Sequence, residues 1–132
     1  MIVGYVNYNL NPDGKIEDDC VFRALAKVLN MSWNDVYMEL TLHGFMLKSK
    51  PDKNYVWGSY LKRKGYQRYI IPNTCPDCYS VAEFAYDNPN GSYVVATDGH
   101  VVAVENGDYY DTWDSGKLVP LYYWKKETNN AT

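Results

Sequence analysis

From Ser92 onward the chain alternates short β-rich runs with glycine turns, and this pattern limits the architectures open to it. Ser92–Thr97, His100–Glu105, Asp108–Thr112 and Lys117–Trp124 are divided by Asp98-Gly99, Asn106-Gly107 and Ser115-Gly116. Asn-Gly between two apolar runs is the signature of a two-residue type I′ hairpin, which requires positive φ at both central residues. An antiparallel meander is therefore expected in the C-terminal third. The earlier part of the chain carries helical periodicity instead. Helices followed by a meander make an α+β domain, with N-terminal helices packed on a C-terminal antiparallel sheet.

The first helix is expected over residues 19–29, where Phe22, Leu25, Ala26, Val28 and Leu29 form a stripe and Asp18 or Asp19 can cap the start. Ser32-Trp33-Asn34-Asp35 opens a second helix, running to about Leu42 with Val36, Tyr37, Leu40 and Trp33 inward and Gly44 ending it. A third covers 54–64, with Gly65 as its stop signal. Ser80-Val81-Ala82-Glu83 has capping-box spacing and opens a fourth, which ends near Asn88-Pro89. Residues 68–71 read as a short strand, and residues 2–8 as a short strand or an extended lead-in before the turn Asn11-Pro12-Asp13-Gly14. A length of 132 residues supports one core, so residues 1–126 are expected to form a single domain and 127–132 a frayed tail.

Net charge is −3 and no basic run exceeds Lys62-Arg63-Lys64, which argues against nucleic acid as the main partner. No signal peptide and no membrane-spanning run are visible, so the expectation is a cytoplasmic protein with three free thiols. The 14 Tyr suit a small protein with a groove, since each can bury its ring and keep its hydroxyl bonded.

Chemistry concentrates at Asp18-Asp19-Cys20-Val21-Phe22-Arg23-Ala24-Leu25-Ala26, a turn leading to a cysteine on the first turn of an apolar-faced helix. Orphan N–H groups and the positive helix end favour a thiolate there. The plain alternative is a small buried hydrophobe, and the acids Glu17, Asp18 and Asp19 oppose the thiolate unless a cation sits closer. His100 can supply that cation, because it follows Gly99 and opens an apolar strand. The other histidine, His43, reads as a dipole partner near the end of the second helix. Hairpin pairing about Asn106-Gly107 places 105 opposite 108 and 102 opposite 111, which puts Asp111 one ladder step from His100. Asp111 is thus the orienting acid of a Cys20–His100–Asp111 set, and Asp114 is the reserve. The oxyanion donors expected are the Cys20 backbone N–H and a side-chain amide, Asn9 or Asn11, although Asn11-Pro12 also suits an Asx-turn. Cys75-Pro76-Asp77-Cys78 is half of a metal site and a weak zinc candidate; zinc or disulfide chemistry is the lesser expectation there, and two surface thiols on a loop are the simpler one.

The order of a helix-borne Cys, then a sheet opening with His and carrying Asp, resembles papain-like thiol peptidases. Asp19-Cys20-Val21-Phe22-Arg23-Ala24-Leu25 is similar to the nucleophile motif of OTU deubiquitinases, although Glu17-Asp18-Asp19 lacks that motif's glycine. Gly99-His100-Val101-Val102-Ala103-Val104 with Asp111 resembles the bacteriocin-leader-processing branch, whose glutamine before the Cys is absent here. Asn9-Leu10-Asn11-Pro12, Asp19-Cys20 and residues 99–114 together resemble small papain-like proteins of bacteriophages and prophages. The resemblance implies a papain-like fold and a cofactor-free cysteine hydrolase, whether peptidase, isopeptidase or amidase. Its substrate would be a peptide or protein, such as a ubiquitin-like or host protein, with no nucleic acid or membrane involved. The rival expectation is a non-enzymatic, phage-type protein-binding module, and a zinc-dependent module on Cys75 and Cys78 is a third.

Overall fold

A computed structural model describes residues 4–127, so residues 1–3 and the expected tail beyond Glu127 lie outside the described part. The elements in order are β1 (Tyr5–Asn7), α1 (Cys20–Leu29), α2 (Trp33–Leu47), α3 (Asn54–Arg63), β2 (Tyr66–Ile70), α4 (Val81–Asp87), β3 (Ser92–Thr97), β4 (His100–Glu105), β5 (Asp108–Asp111) and β6 (Tyr122–Lys126). The architecture is α+β, with the N-terminal helices packed on a six-stranded sheet of order β1-β5-β4-β3-β6-β2. No helix among the described residues is long and apolar enough to cross a membrane.

Strand alternation gives the sheet two buried faces. Val94, Ala96, Val101, Ala103 and Trp124 meet α1, α2 and α3 on one side. Val95, Val102, Val104, Tyr93 and Tyr109 meet Val81, Phe84 and Ala85 of α4 on the other. The β4–β5 hairpin has the expected register, with Glu105 opposite Asp108 and Ala103 opposite Tyr110. Asn106 and Gly107 both take positive φ, at 52° and 87°.

The sheet is more than a meander. Strands β3, β4 and β5 follow one another, but β6 crosses to the far side of β3 and pairs antiparallel with both β3 and β2. The expected run Lys117–Trp124 is strand only from Tyr122, because residues 117–121, which include Pro120, form the crossing. The lead-in becomes β1 and pairs parallel with β5, setting Asn7 opposite Asp111.

Helix α2 also departs from expectation. It runs through Gly44 to Leu47 and is closed by Lys48 in the left-handed conformation. Gly44 serves a close approach: a Cβ there would fall 2.6 Å from the Ser49 carbonyl oxygen and 3.2 Å from the Pro51 nitrogen. Tyr37 is half exposed and stacks on Trp33, with centroids 5.0 Å apart.

Gly44→Ala tests this contact. Helix propensity alone favours Ala by about 1 kcal/mol, yet the clash is with backbone atoms that cannot rotate away. The variant is expected to lose about 1–3 kcal/mol in urea unfolding, and a gain would refute the account.

Candidate functional site

Asp19 occupies the N-cap position of α1, but its side chain caps no N–H. Its carboxylate instead accepts from Arg23 Nε at 2.7 Å, Trp33 Nε1 at 3.0 Å and, more loosely, Asn11 Nδ2 at 3.5 Å. The first N–H groups of α1 therefore keep the orphan character that helix geometry gives them. Cys20, Val21 and Phe22, which carry them, line a cavity of about 170 Å³.

His100 faces the same cavity from the start of β4, together with Thr97, Asp52 and Asn54. Its Nε2 lies 2.6 Å from Asp111 Oδ2, which leaves Nδ1 as the ring nitrogen free to serve Cys20. Both groups line the cavity, and Cys20 lies close enough to the imidazole to help raise its pKa. Trp113 covers the imidazole, with ring centroids 4.9 Å apart. Burial lowers the His100 pKa, but hydrogen bonding to Asp111, the Cys20 sulfur and the Asp111 charge outweigh it, and the value is pushed up to about 9. The imidazole is thus protonated at neutral pH.

Asp111 is 1 % exposed and fully engaged. Oδ1 accepts from Arg23 Nη1 at 3.0 Å and from the Thr112 N–H at 2.8 Å. Oδ2 accepts from Ser115 Oγ at 2.7 Å as well as facing His100. Burial pushes this carboxyl up, but the bonds from His100, Ser115 and Arg23 and the His100 charge prevail, and its pKa falls below the ordinary value. Arg23 therefore bridges two buried carboxylates, Asp19 and Asp111. The acids before Cys20 are less hostile to a thiolate than the sequence suggested, because the nearest is already paired.

Other expected residues lie elsewhere. Asp114 accepts from Tyr109 Oη at 2.5 Å and from the Gly116 N–H, and it makes no bond to His100. Asn9 bonds the Lys15 carbonyl and the Asn11 N–H, while Asn11 accepts from the Asp13 N–H in an Asx-turn. Neither amide lines the cavity; the bonds of Asn9 and Asn11 are spent within the lead-in turn and on Asp19. Cys75 and Cys78 are joined in a disulfide across a turn that brings their Cα atoms to 4.1 Å. Their sulfurs are thereby spent, which corrects the expectation of two free loop thiols and removes the zinc candidates in this form. Cys20 is the free cysteine. His43 is buried inside α2 against Ser59 Oγ at 3.0 Å, four residues short of the helix end, so it is no terminal dipole partner. Burial and then Arg63 lower its pKa, which leaves it neutral.

Asn54 was not anticipated. It is the first residue of α3, and its Oδ1 accepts from Trp57 Nε1 at 3.1 Å. That bond fixes the amide and leaves Nδ2 without a protein acceptor among the described residues, beside the cavity that Cys20 lines. Only Asn54 and Trp57 at helical spacing hinted at the bond, and nothing in the sequence tied α3 to Cys20.

Comparison of the chain with protein-family models, with curated proteins and with solved structures finds no match to any of them.

Two outcomes follow from the charges. Arg23→Met leaves two carboxylates buried and unpaired, so urea unfolding at neutral pH is expected to show a loss of about 3–5 kcal/mol. A loss within the scatter of surface substitutions would mean that solvent already screens the pair. His100 is raised from 6.5 to about 9, so its contribution to stability is full below pH 6.5 and fades as pH rises through about 9. The unfolding free energy of wild type minus that of His100→Gln should shrink over that window, and a flat difference would contradict the ion pair with Asp111.

Proposed function

We propose that this chain is a papain-like cysteine hydrolase that cleaves an amide bond in a peptide or protein. One observation carries the reading. A cysteine at a helix start and a histidine held by a fully buried carboxylate open onto one small cavity.

In this reading the Cys20 thiolate attacks the substrate carbonyl carbon, and the carbonyl oxygen takes the negative charge. The uncapped N–H groups of α1 and Nδ2 of Asn54 are the donors available to that oxyanion. His100, protonated at neutral pH, gives its proton to the departing amine as the C–N bond breaks, leaving a thioester on Cys20. The neutral imidazole then takes a proton from water, whose oxygen attacks the thioester. The acid product leaves and the Cys20–His100 pair is restored. Asp111 touches no reacting atom; it holds Nε2, so that Nδ1 does the proton work. No step calls for a cofactor. Peptidase, isopeptidase and amidase chemistry share this apparatus, and a ubiquitin-like or host protein is one form the substrate could take.

A second reading has its own observation. Met38, Leu42, Phe45 and Met46 form an exposed apolar stripe along α2, as a protein-binding module would present. Under it, Cys20→Ala would keep full biological activity.

Because Cys75 and Cys78 are oxidised, iodoacetamide reads Cys20 alone. His100→Ala is expected to slow alkylation at neutral pH by about tenfold or more and to steepen its rise with pH. Asp111→Asn should act in the same direction. A rate indifferent to His100 would overturn the hydrolase reading and favour the binding module.

A further inference from the structure

A second cavity, about 590 Å³, lies between α3 and the β2–β6 edge of the sheet. Asn54 lines both this cavity and the one holding Cys20 and His100, so the two are neighbours across the start of α3. The register explains its shape. Arg68 stands opposite Trp124, and Ile70 opposite Tyr122, so Arg68, Tyr122 and Trp124 share one face of the sheet. Gly58 of α3 sits directly above the indole; a Cβ there would fall 2.9 Å from Trp124 Cζ2.

The lining is chemically one-sided. Lys62 and Arg68 supply two cations, and no Asp or Glu contributes. Among the described residues neither cation makes an ion pair with a carboxylate. The Arg68 guanidinium lies over the Tyr122 ring, 5.1 Å from its centroid, which holds the charge at the cavity wall. Trp124 is 9 % exposed, and its Nε1–H is buried without an acceptor. In a chain of net charge −3, a concave surface with two unpaired cations and aromatic walls is set apart from its surroundings. It suits a carboxylate carried on a chain that also presents flat or aliphatic groups.

We propose that this cavity is a substrate subsite for an acidic stretch of polypeptide, an Asp- or Glu-bearing segment that continues past Asn54 into the Cys20–His100 cleft. The proposal rests on the hydrolase reading for the direction of that chain, while the binding itself does not require catalysis. Lys62 and Arg68 attract the carboxylates, and the part-exposed ring of Tyr122 accepts the apolar parts of the segment. Specificity then lies on α3 and β2, away from the reacting atoms.

The test uses the full chain carrying Cys20→Ala, so that binding is read without turnover. Fluorescein-labelled ten-residue peptides, identical except for Glu-Phe-Glu or Gln-Phe-Gln at the centre, are titrated by anisotropy. The acidic peptide is expected to bind at least about tenfold tighter, and Arg68→Glu with Lys62→Glu should abolish or invert that preference. Both side chains are exposed, so the fold should tolerate the change. Arg68→Lys, which keeps the charge, should retain it. Equal binding of the two peptides overturns the proposal, as does a preference that survives charge reversal. A ten-nucleotide oligothymidine that displaces the acidic peptide at lower concentration than unlabelled acidic peptide also overturns it, in favour of a nucleic-acid groove. Loss of the hydrolase reading would appear separately, as Cys20 alkylation indifferent to His100 alongside an intact preference for the acidic peptide.

Discussion

Arg23 is the charge on which the arrangement turns. It leaves α1 one turn after Cys20, spends Nε on Asp19 and Nη1 on Asp111, and so ties the helix start to the end of β5. Two buried carboxylates cannot stay ionised side by side without such a cation. With Arg23 present, the Asp19 side chain is drawn to the guanidinium and away from the helix N–H groups that it would otherwise cap. Asp111 remains an anion and can hold His100. One guanidinium thus orients the acid, leaves the helix start open and balances the charge. Two cations, Arg23 and His100, face two carboxylates.

The hydrogen-bond inventory shows how tightly the acid is specified. Asp111 meets three side chains and a backbone N–H, from α1, β4 and its own following turn. A carboxylate so engaged has little freedom to rotate, and the imidazole bonded to it inherits that constraint. Trp113 removes another freedom by packing on the ring.

Much of this was legible before any coordinates. The Asn106-Gly107 turn fixed the β4–β5 register, and the register set Asp111 near His100. The Cys20 position at a helix start followed from its place between acids and an apolar stripe. What escaped the sequence was non-local. Asn54 reaches the cleft only because α3 packs where it does. Asn11 forms the Asx-turn that Asn11-Pro12 suggested, but the bond from its own N–H to the Asn9 side chain had no sequence signal. Gly44 carried the usual helix-stop signal, but its meaning depended on the Ser49–Pro51 backbone lying against it. The β6 crossing could not be read from a run that looked uniformly β-rich. Arg23 sat in plain view beside Cys20, and only the three-dimensional pairing gave it a role.

The three-residue strand β1 has a kinetic consequence. It pairs Asn7 with Asp111 across nearly the whole chain, and Arg23 meets the same residue from α1. Contacts of such sequence separation carry the largest loop-closure entropy and tend to form late. The β3–β4–β5 hairpins can assemble from local contacts, while β5 waits for the chain's beginning to dock along its open side. Until then an unpaired strand edge stands exposed, available to another molecule's strand. The rim that bears the orienting acid is therefore also the seam where this protein is most open to self-association during folding.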